Sequence, residues 1–222
     1  AADLVGNANL PALYRIHEGP NQDKLDSLRA FLGEMGLYLG GGEKPSTGDY
    51  RKVLQQIAER PDRHLLQTQL IRSMAQAAYS PRNCGHFGLN FPQYTHFTSP
   101  IRRYPDLLVH RAIRFLIHNS KSRSLQAHPD QKPLLRANAY PYEFVDLERL
   151  GELCSSAERR ADAASYSVAD WLKCEYMRDR VGDEFSGTIT SVASFGLFIE
   201  LNNYYVEGLV HITELRNDYY HF

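Results

Sequence analysis

The spacing of apolar residues changes once along this chain, and that change limits the folds open to it. Between Tyr142 and Arg180, the stripe Leu147, Leu150, Cys154, Ala157, Ala161, Ala164, Val168, Trp171 and Leu172 recurs at helical spacing. Gly182 breaks it. From Asp183 the period falls to about two, through Phe185, Gly187 and Ile189, then Phe198 and Leu201, then Val206, Leu209 and Ile212. Turn residues at Ser194–Gly196 and Asn202-Asn203 separate these strands. The chain therefore divides into a mainly helical part, 1–181, and a β part, 182–222, with a boundary near Val181. The fold class is α+β.

The first 80 residues read as helical. Asn21 caps a helix carrying Leu25, Leu28, Phe31, Leu32 and Met35, and Gly36 ends it. Gly40-Gly41-Gly42 through Pro45-Ser46-Thr47-Gly48 is a loop. A second helix sets Tyr50, Val53, Leu54 and Ile57 on one face. A third starts at Pro61-Asp62, carries Leu66, Leu70, Met74, Ala77 and Ala78, and ends at Ser80-Pro81. Residues 82–99 are rich in Gly, aromatic and β-branched residues and predict short strands and turns. Ser99-Pro100 reads as a hydroxyl N-cap followed by Pro at the first helical position. That helix carries Leu107, Leu108, Ala112, Ile113, Leu116 and Ile117, and Pro105 marks a kink or a delayed start. Residues 119–141 predict a polar surface loop.

Composition excludes several classes. With 43% apolar and 23% charged residues over 222, the chain is neither a disordered tail, a fibre nor a disulfide mini-protein. No apolar run approaches the roughly 18 residues of a membrane span. Ala1-Ala2-Asp3-Leu4 lacks the basic start of a signal peptide and an initiator Met, so a native N-terminus is not expected here. Cys84, Cys154 and Cys174 are far apart and predict reduced thiols in a cytoplasmic protein, without a zinc site.

The net charge of −1 conceals a pattern. Residues 1–62 carry 7 Lys/Arg and 9 Asp/Glu, 63–124 carry 9 Lys/Arg and the single acid Asp106, and 125–222 carry 9 Lys/Arg and 16 Asp/Glu. Five of the nine His also fall in the middle segment. Local charge, not the total, steers a polyanion. Within the basic segment, Arg102 and Arg103 sit in the first turn of the predicted helix, where the helix dipole is already positive. A local rule broken in this way points to a bound anion, with guanidinium forks meeting phosphate oxygens. Tyr94, His96, Phe97 and Tyr104 surround the pair, and Arg111 and Arg114 extend the basic face. The alternative is a surface helix whose arginines pair with acids elsewhere. His110 and His118 read as structural histidines, and Cys84 as a small packed or semi-exposed residue.

A resemblance follows from these residues. His86-Phe87-Gly88-Leu89, then Tyr94-Thr95-His96-Phe97-Thr98-Ser99-Pro100-Ile101-Arg102-Arg103-Tyr104-Pro105-Asp106-Leu107, then His110-Arg111, closely resembles the signature of the ribonuclease II/R (RNB) exoribonuclease family. Pro11-Ala12-Leu13-Tyr14-Arg15-Ile16-His17, Ala157-Glu158-Arg159-Arg160-Ala161-Asp162 and Val168-Ala169-Asp170-Trp171-Leu172-Lys173-Cys174 point to its ribonuclease R branch. The resemblance implies a processive exoribonuclease that degrades single-stranded RNA from a free 3′ end and releases nucleoside 5′-monophosphates. It implies two divalent metals, normally Mg²⁺, held by an aspartate cluster, with water attacking phosphorus in line. Arg102 matches the family's conserved Arg and is expected to contact the scissile or an adjacent phosphate. His96, Ser99, Arg103, Tyr104 and Arg111 are the expected RNA contacts beside it.

The departure from the family lies in the metal site. Its aspartate cluster falls upstream of everything in this chain. Asp23/Asp26 and Asp179/Asp183/Glu184 have ordinary helix and loop spacings, so no metal ligand is expected. The chain reads as the C-terminal part of a catalytic domain, not expected to cleave RNA alone, from a protein that is monomeric when whole. A catalytically inactive RNA-binding module on the same scaffold is the alternative. A weaker third reading is a structural helical domain with an unrelated OB appendage.

Gly182-Asp183-Glu184-Phe185-Ser186-Gly187-Thr188-Ile189, Phe195-Gly196-Leu197-Phe198-Ile199 and Gly208-Leu209-Val210-His211-Ile212 look like the first three strands of a ribosomal-S-one-type OB fold. Such a barrel needs five strands, so an incomplete β-barrel is expected. If Phe195 lies in the turn, it, Phe198 and His211 reach the nucleic-acid face, where bases stack on the rings. Packing of either Phe inside the barrel is the alternative. Residues 182–222 hold only Arg216 against six acids, so affinity there rests on stacking more than on phosphates.

Overall fold

The computed structural model describes residues 1–119 and 135–215. In chain order the elements are α1 (Ala2–Asn7), β1 (Tyr14–Ile16), α2 (Gln22–Glu34), α3 (Thr47–Gln56), α4 (Arg63–Ser73), β2 (Ala78–Ser80), α5 (Tyr104–Asn119), α6 (Arg136–Ala139), α7 (Phe144–Met177), β3 (Gly187–Ala193), β4 (Gly196–Leu201) and β5 (Glu207–His211). They form two compact units, Ala1–Arg159 and Arg160–Phe222, so α7 belongs to both. No helix among the described residues is long and apolar enough to cross a membrane. Residues 120–134 of the expected surface loop, and Arg216, lie outside the described residues.

In the first unit the helix starts are local chemistry. The Asn21 side chain accepts the Lys24 N–H at 3.0 Å and opens α2. Gly36, at φ +68°, ends it: the Gly36 N–H returns to Gly33 O and the Leu37 N–H to Leu32 O. Ser46 and Asp49 close a capping box on α3. The apolar faces of α2, α3 and α4 then meet in one core around Leu25, Leu32, Val53, Ile57 and Leu66, all fully buried. Each such side chain contributes about 1.5–3 kcal/mol. Leu54, expected on the same face of α3 as Tyr50 and Val53, is exposed instead. It lies one residue past Val53, so the helical rotation carries it off the buried stripe.

One expectation of helix fails for a tertiary reason. α4 stops at Ser73, Met74 turns extended, and residues 78–80 form β2 instead of ending a helix. β2 pairs antiparallel with β1, with Arg15 opposite Tyr79. α7 fixes this ribbon from one side: Ser155 Oγ accepts the Tyr79 N–H at 2.9 Å. A Cβ on Gly151 would stand 2.6 Å from Tyr79 O, so only glycine lets the helix approach this closely. Residues 82–99 form turns, a 3₁₀ turn at Phe87–Leu89 and single bridges His17–His86 and His86–Phe91, in place of the expected strands.

A second core joins Val5 of α1 with Leu10, Ala12, Tyr140 and the α5 residues Val109 and Ala112. A third joins Leu13, Leu108 and Leu147. α7 is one helix of 34 residues, and its buried positions are Leu147, Gly151 and Ser155. Beyond them Ala157, Ala161, Ala164, Val168, Trp171 and Leu172 are exposed, although their spacing predicted a buried stripe. The period holds, but no described residue packs over it.

The second unit contains a three-stranded antiparallel sheet, β3-β4-β5. A bulge between Ile189 and Ser191 bends β3. Gly196 is required where β4 leaves the turn, because a Cβ there would stand 2.3 Å from Val210 O. These strands form the OB-type part of the α+β fold expected from the sequence.

Candidate nucleic-acid interface

Arg102 stands on a short turn immediately before α5. The sequence placed it inside the first helical turn, but the helix starts at Tyr104. Pro105 lacks an N–H and clashes inside a helix, so it fits only the helix start. The first turn of α5 then holds Asp106, the sign that the helix dipole favours. Ser99 does not cap the helix with its hydroxyl as expected and acts through its backbone. Its carbonyl accepts the Arg102 N–H at 3.3 Å and the Arg103 N–H at 3.0 Å, and its N–H donates to Asp106 Oδ2 at 2.8 Å.

The two arginines divide. Arg103 donates through Nη2 to Asp106 Oδ2 at 2.9 Å, and Asp106 is wholly buried. The Arg102 guanidinium is exposed and has neither a hydrogen bond nor an ion pair to another described residue. Ile101 beside it is wholly exposed too. Alternatives open in the sequence therefore hold at adjacent positions: one arginine is paired to an acid, the other is free for an anion.

Behind the turn is a packed polar cluster. The His96 Nδ1 and the Tyr79 hydroxyl are 2.8 Å apart. The Arg15 guanidinium lies over the Tyr79 ring at 4.6 Å and pairs with Glu158 at 2.6 Å. Burial, then the charges of Arg103 and Arg15, push His96 down to about 4, against weaker opposing pulls from Asp106 and Glu158. Burial, reinforced by Glu158, pushes Tyr79 up to about 12. His96 is therefore a neutral support at physiological pH. Because the unfolded chain protonates His96 near pH 6.5 and the fold does not, stability is full above that pH and declines as pH falls toward 4. The shift corresponds to about 3 kcal/mol before screening; His96 is half-buried, so screening leaves about 1–2 kcal/mol. Thermal unfolding from pH 7 to 4 should show this decline, and His96→Asn should flatten it. An unchanged slope in the variant would refute the assignment.

Tyr104 and Arg111 meet on a residue that sequence did not single out. Arg111 Nη1 donates to the Tyr142 hydroxyl at 2.8 Å, and Tyr142 and Tyr104 hydroxyls are 3.1 Å apart. The Tyr142 bond, then burial, raises Tyr104. Tyr142 is 31 residues from Arg111, and no local spacing reports such a pair. Asp106 did carry a signal, as the one acid in the basic segment. His110 is structural: it meets Phe97 O at 2.8 Å and stacks on the Phe97 ring at 4.2 Å.

In the second unit Phe195 lies in the β3–β4 turn, half exposed. Its ring meets Phe198 edge-to-face at 6.1 Å. His211 is opposite Gly196, and Phe198 opposite Leu209, so Phe198 and His211 share a sheet face. Thr213 orients His211, with its Oγ1 2.9 Å from Nδ1. The three expected residues are thus brought together.

Among the described residues no group of three or more His, Cys, Asp or Glu is placed to hold a metal ion. Asp106 is the one fully buried carboxylate among them, and its Oδ2 is taken by Ser99 and Arg103. These residues do not fit a two-metal centre.

Comparison with known proteins gives the family and the fold. The model of the RNB domain family matches residues 1–119, and that of the S1 RNA binding domain matches 178–221. Ribonuclease R of Vibrio cholerae is 52% identical over all 222 residues, and the chain spans only 26% of that relative's length. The apo form of Mycoplasma genitalium RNase R superposes with a TM-score of 0.85 at 27% identity, covering 98% of this chain and 32% of that one. The same protein in complex with ribose methylated single-stranded RNA gives 0.81 at 26% identity, with the same coverage. With the first 119 of 222 residues matched and the fold shared, the chain belongs to the RNB domain family and continues into an S1 RNA binding domain.

Proposed function

We propose that the intact protein is a processive 3′-to-5′ exoribonuclease, that it hydrolyses single-stranded RNA to nucleoside 5′-monophosphates, and that this chain positions the RNA. The observation that carries the reading is Arg102: an unpaired, exposed guanidinium on a turn held at both ends, inside the RNB match. Its fork suits the oxygens of the scissile or adjacent phosphate, where charge grows as the bond breaks. Tyr104 and Arg111 would hold the strand beside it, and Phe195, Phe198 and His211 would stack bases further along. Ser99 and Arg103 shape the turn, and His96 supports Tyr79 behind it. The ribonuclease R relatives, and the RNA-bound RNase R structure, support this reading. The family resemblance implies magnesium, held by ligands outside this chain. A cytoplasmic monomer acting on a free 3′ end completes the proposal.

The test uses the intact protein on single-stranded RNA labelled at its 5′ end, on the same RNA blocked at its 3′ end, and on a circular RNA. Mononucleotide release from the free 3′ end alone, without accumulating intermediates, is the expected result. Cleavage of the circle would refute the exonuclease. Salt-sensitive binding without hydrolysis would establish the inactive RNA-binding module instead.

A further inference from the structure

Asp106 joins both ends of the turn that carries Arg102. Its Oδ2 accepts the Ser99 N–H at 2.8 Å and the Arg103 guanidinium at 2.9 Å, and the Ser99 carbonyl accepts the Arg103 N–H at 3.0 Å. These contacts close a ring around five residues with Arg102 near its crown. The base is rigid: Asp106 lies in the first turn of α5, beside the fully buried Leu108, Val109 and Ala112. Its second oxygen, Oδ1, is buried without a hydrogen-bond partner, as is Arg103 Nε.

A carboxylate is an unexpected choice here. It is the single acid among residues 63–124, and an unneutralised one would repel the phosphate that Arg102 is to meet. A turn needing only an acceptor would be served by Asn. The ion pair does more. It cancels the carboxylate's charge, occupies Arg103, and leaves Arg102 as the free cation of the turn. We infer that Asp106 is a positioning residue for the reaction: it fixes the Ser99–Arg103 turn so that the Arg102 guanidinium is presented to the phosphate already oriented. The inference rests on the proposed role of Arg102. A preorganised cation needs no rearrangement as charge develops, and a displacement of about 1 Å can cost about a hundredfold in rate.

A double-mutant cycle in the intact protein tests it, with single-turnover rates on single-stranded RNA for Arg102→Ala, Asp106→Asn and the double variant. Asp106→Asn is expected to slow hydrolysis about 10- to 100-fold. The double variant should be no slower than Arg102→Ala by more than about twofold, because Asp106 acts through Arg102. Rate losses that multiply would overturn the inference, as would an Asp106→Asn rate within about twofold of the parent. An Arg102→Ala rate equal to the parent would remove the underlying role of Arg102, a distinguishable failure. If Asp106→Asn does not fold, the cycle is run with Asp106→Glu, which keeps the charge on Arg103 but lengthens the arm; the same two outcomes decide.

Discussion

Arg102→Ala in the intact protein is expected to slow RNA hydrolysis about 10²–10³-fold, the usual cost of deleting one preorganised donor aimed at developing charge. The side chain is exposed and has no partner among the described residues, so its loss should leave stability within about 0.5 kcal/mol. That combination separates a phosphate-binding group from a scaffold residue, whose removal lowers both. Arg102→Lys should recover only part of the rate, because an ammonium supplies charge without the fork. Single-turnover rates beside thermal unfolding give the answer; an alanine variant within twofold of the parent would remove Arg102 from the mechanism.

Which parts of this molecule were legible in sequence follows from the range of the forces involved. Asn21 and Gly36 act within a few residues, and the helix they delimit lies where sequence put it; the Ser46 box is just as local, but it starts α3 at Thr47, inside the expected loop. The period change at Gly182 likewise located the strands, and the Phe195 turn with them. Residues 78–80 failed because their partners are β1 and Ser155, both more than 60 residues away. Ala77-Ala78 suits a helix, and nothing local records the competing ribbon. The Arg102-Arg103 pair was recognised, but its division was not. It depended on whether Pro105 delays the helix, and the sequence left that open. Once Tyr104 begins the helix, Asp106 falls where it holds both Ser99 and Arg103.

The second large effect belongs to the aromatic pair on the sheet. Phe195→Ala combined with Phe198→Ala is expected to weaken single-stranded RNA binding by the intact protein about 10²–10³-fold, at about 1–3 kcal/mol per stacked base. The rings already meet edge-to-face at 84°, which sets two π-faces at different angles to an incoming strand. His211 stands on the same side, and the Gly196 position opposite it has no room for a side chain. Residues 182–222 carry a single arginine and six acids, so this platform has little to offer phosphates. Its contribution should therefore change affinity without changing the slope of log affinity against log salt. Arg111→Ala should do the reverse and make that slope shallower, by about one for each phosphate that Arg111 neutralises. Phe198 is half-buried, and its loss alone can act through packing. Phe195 is half exposed in the turn, so Phe195→Ala isolates stacking from folding. Anisotropy titrations at several salt concentrations read both quantities. If Phe195→Ala binds within twofold of the parent at every salt, the rings are packing residues and the RNA is bound elsewhere.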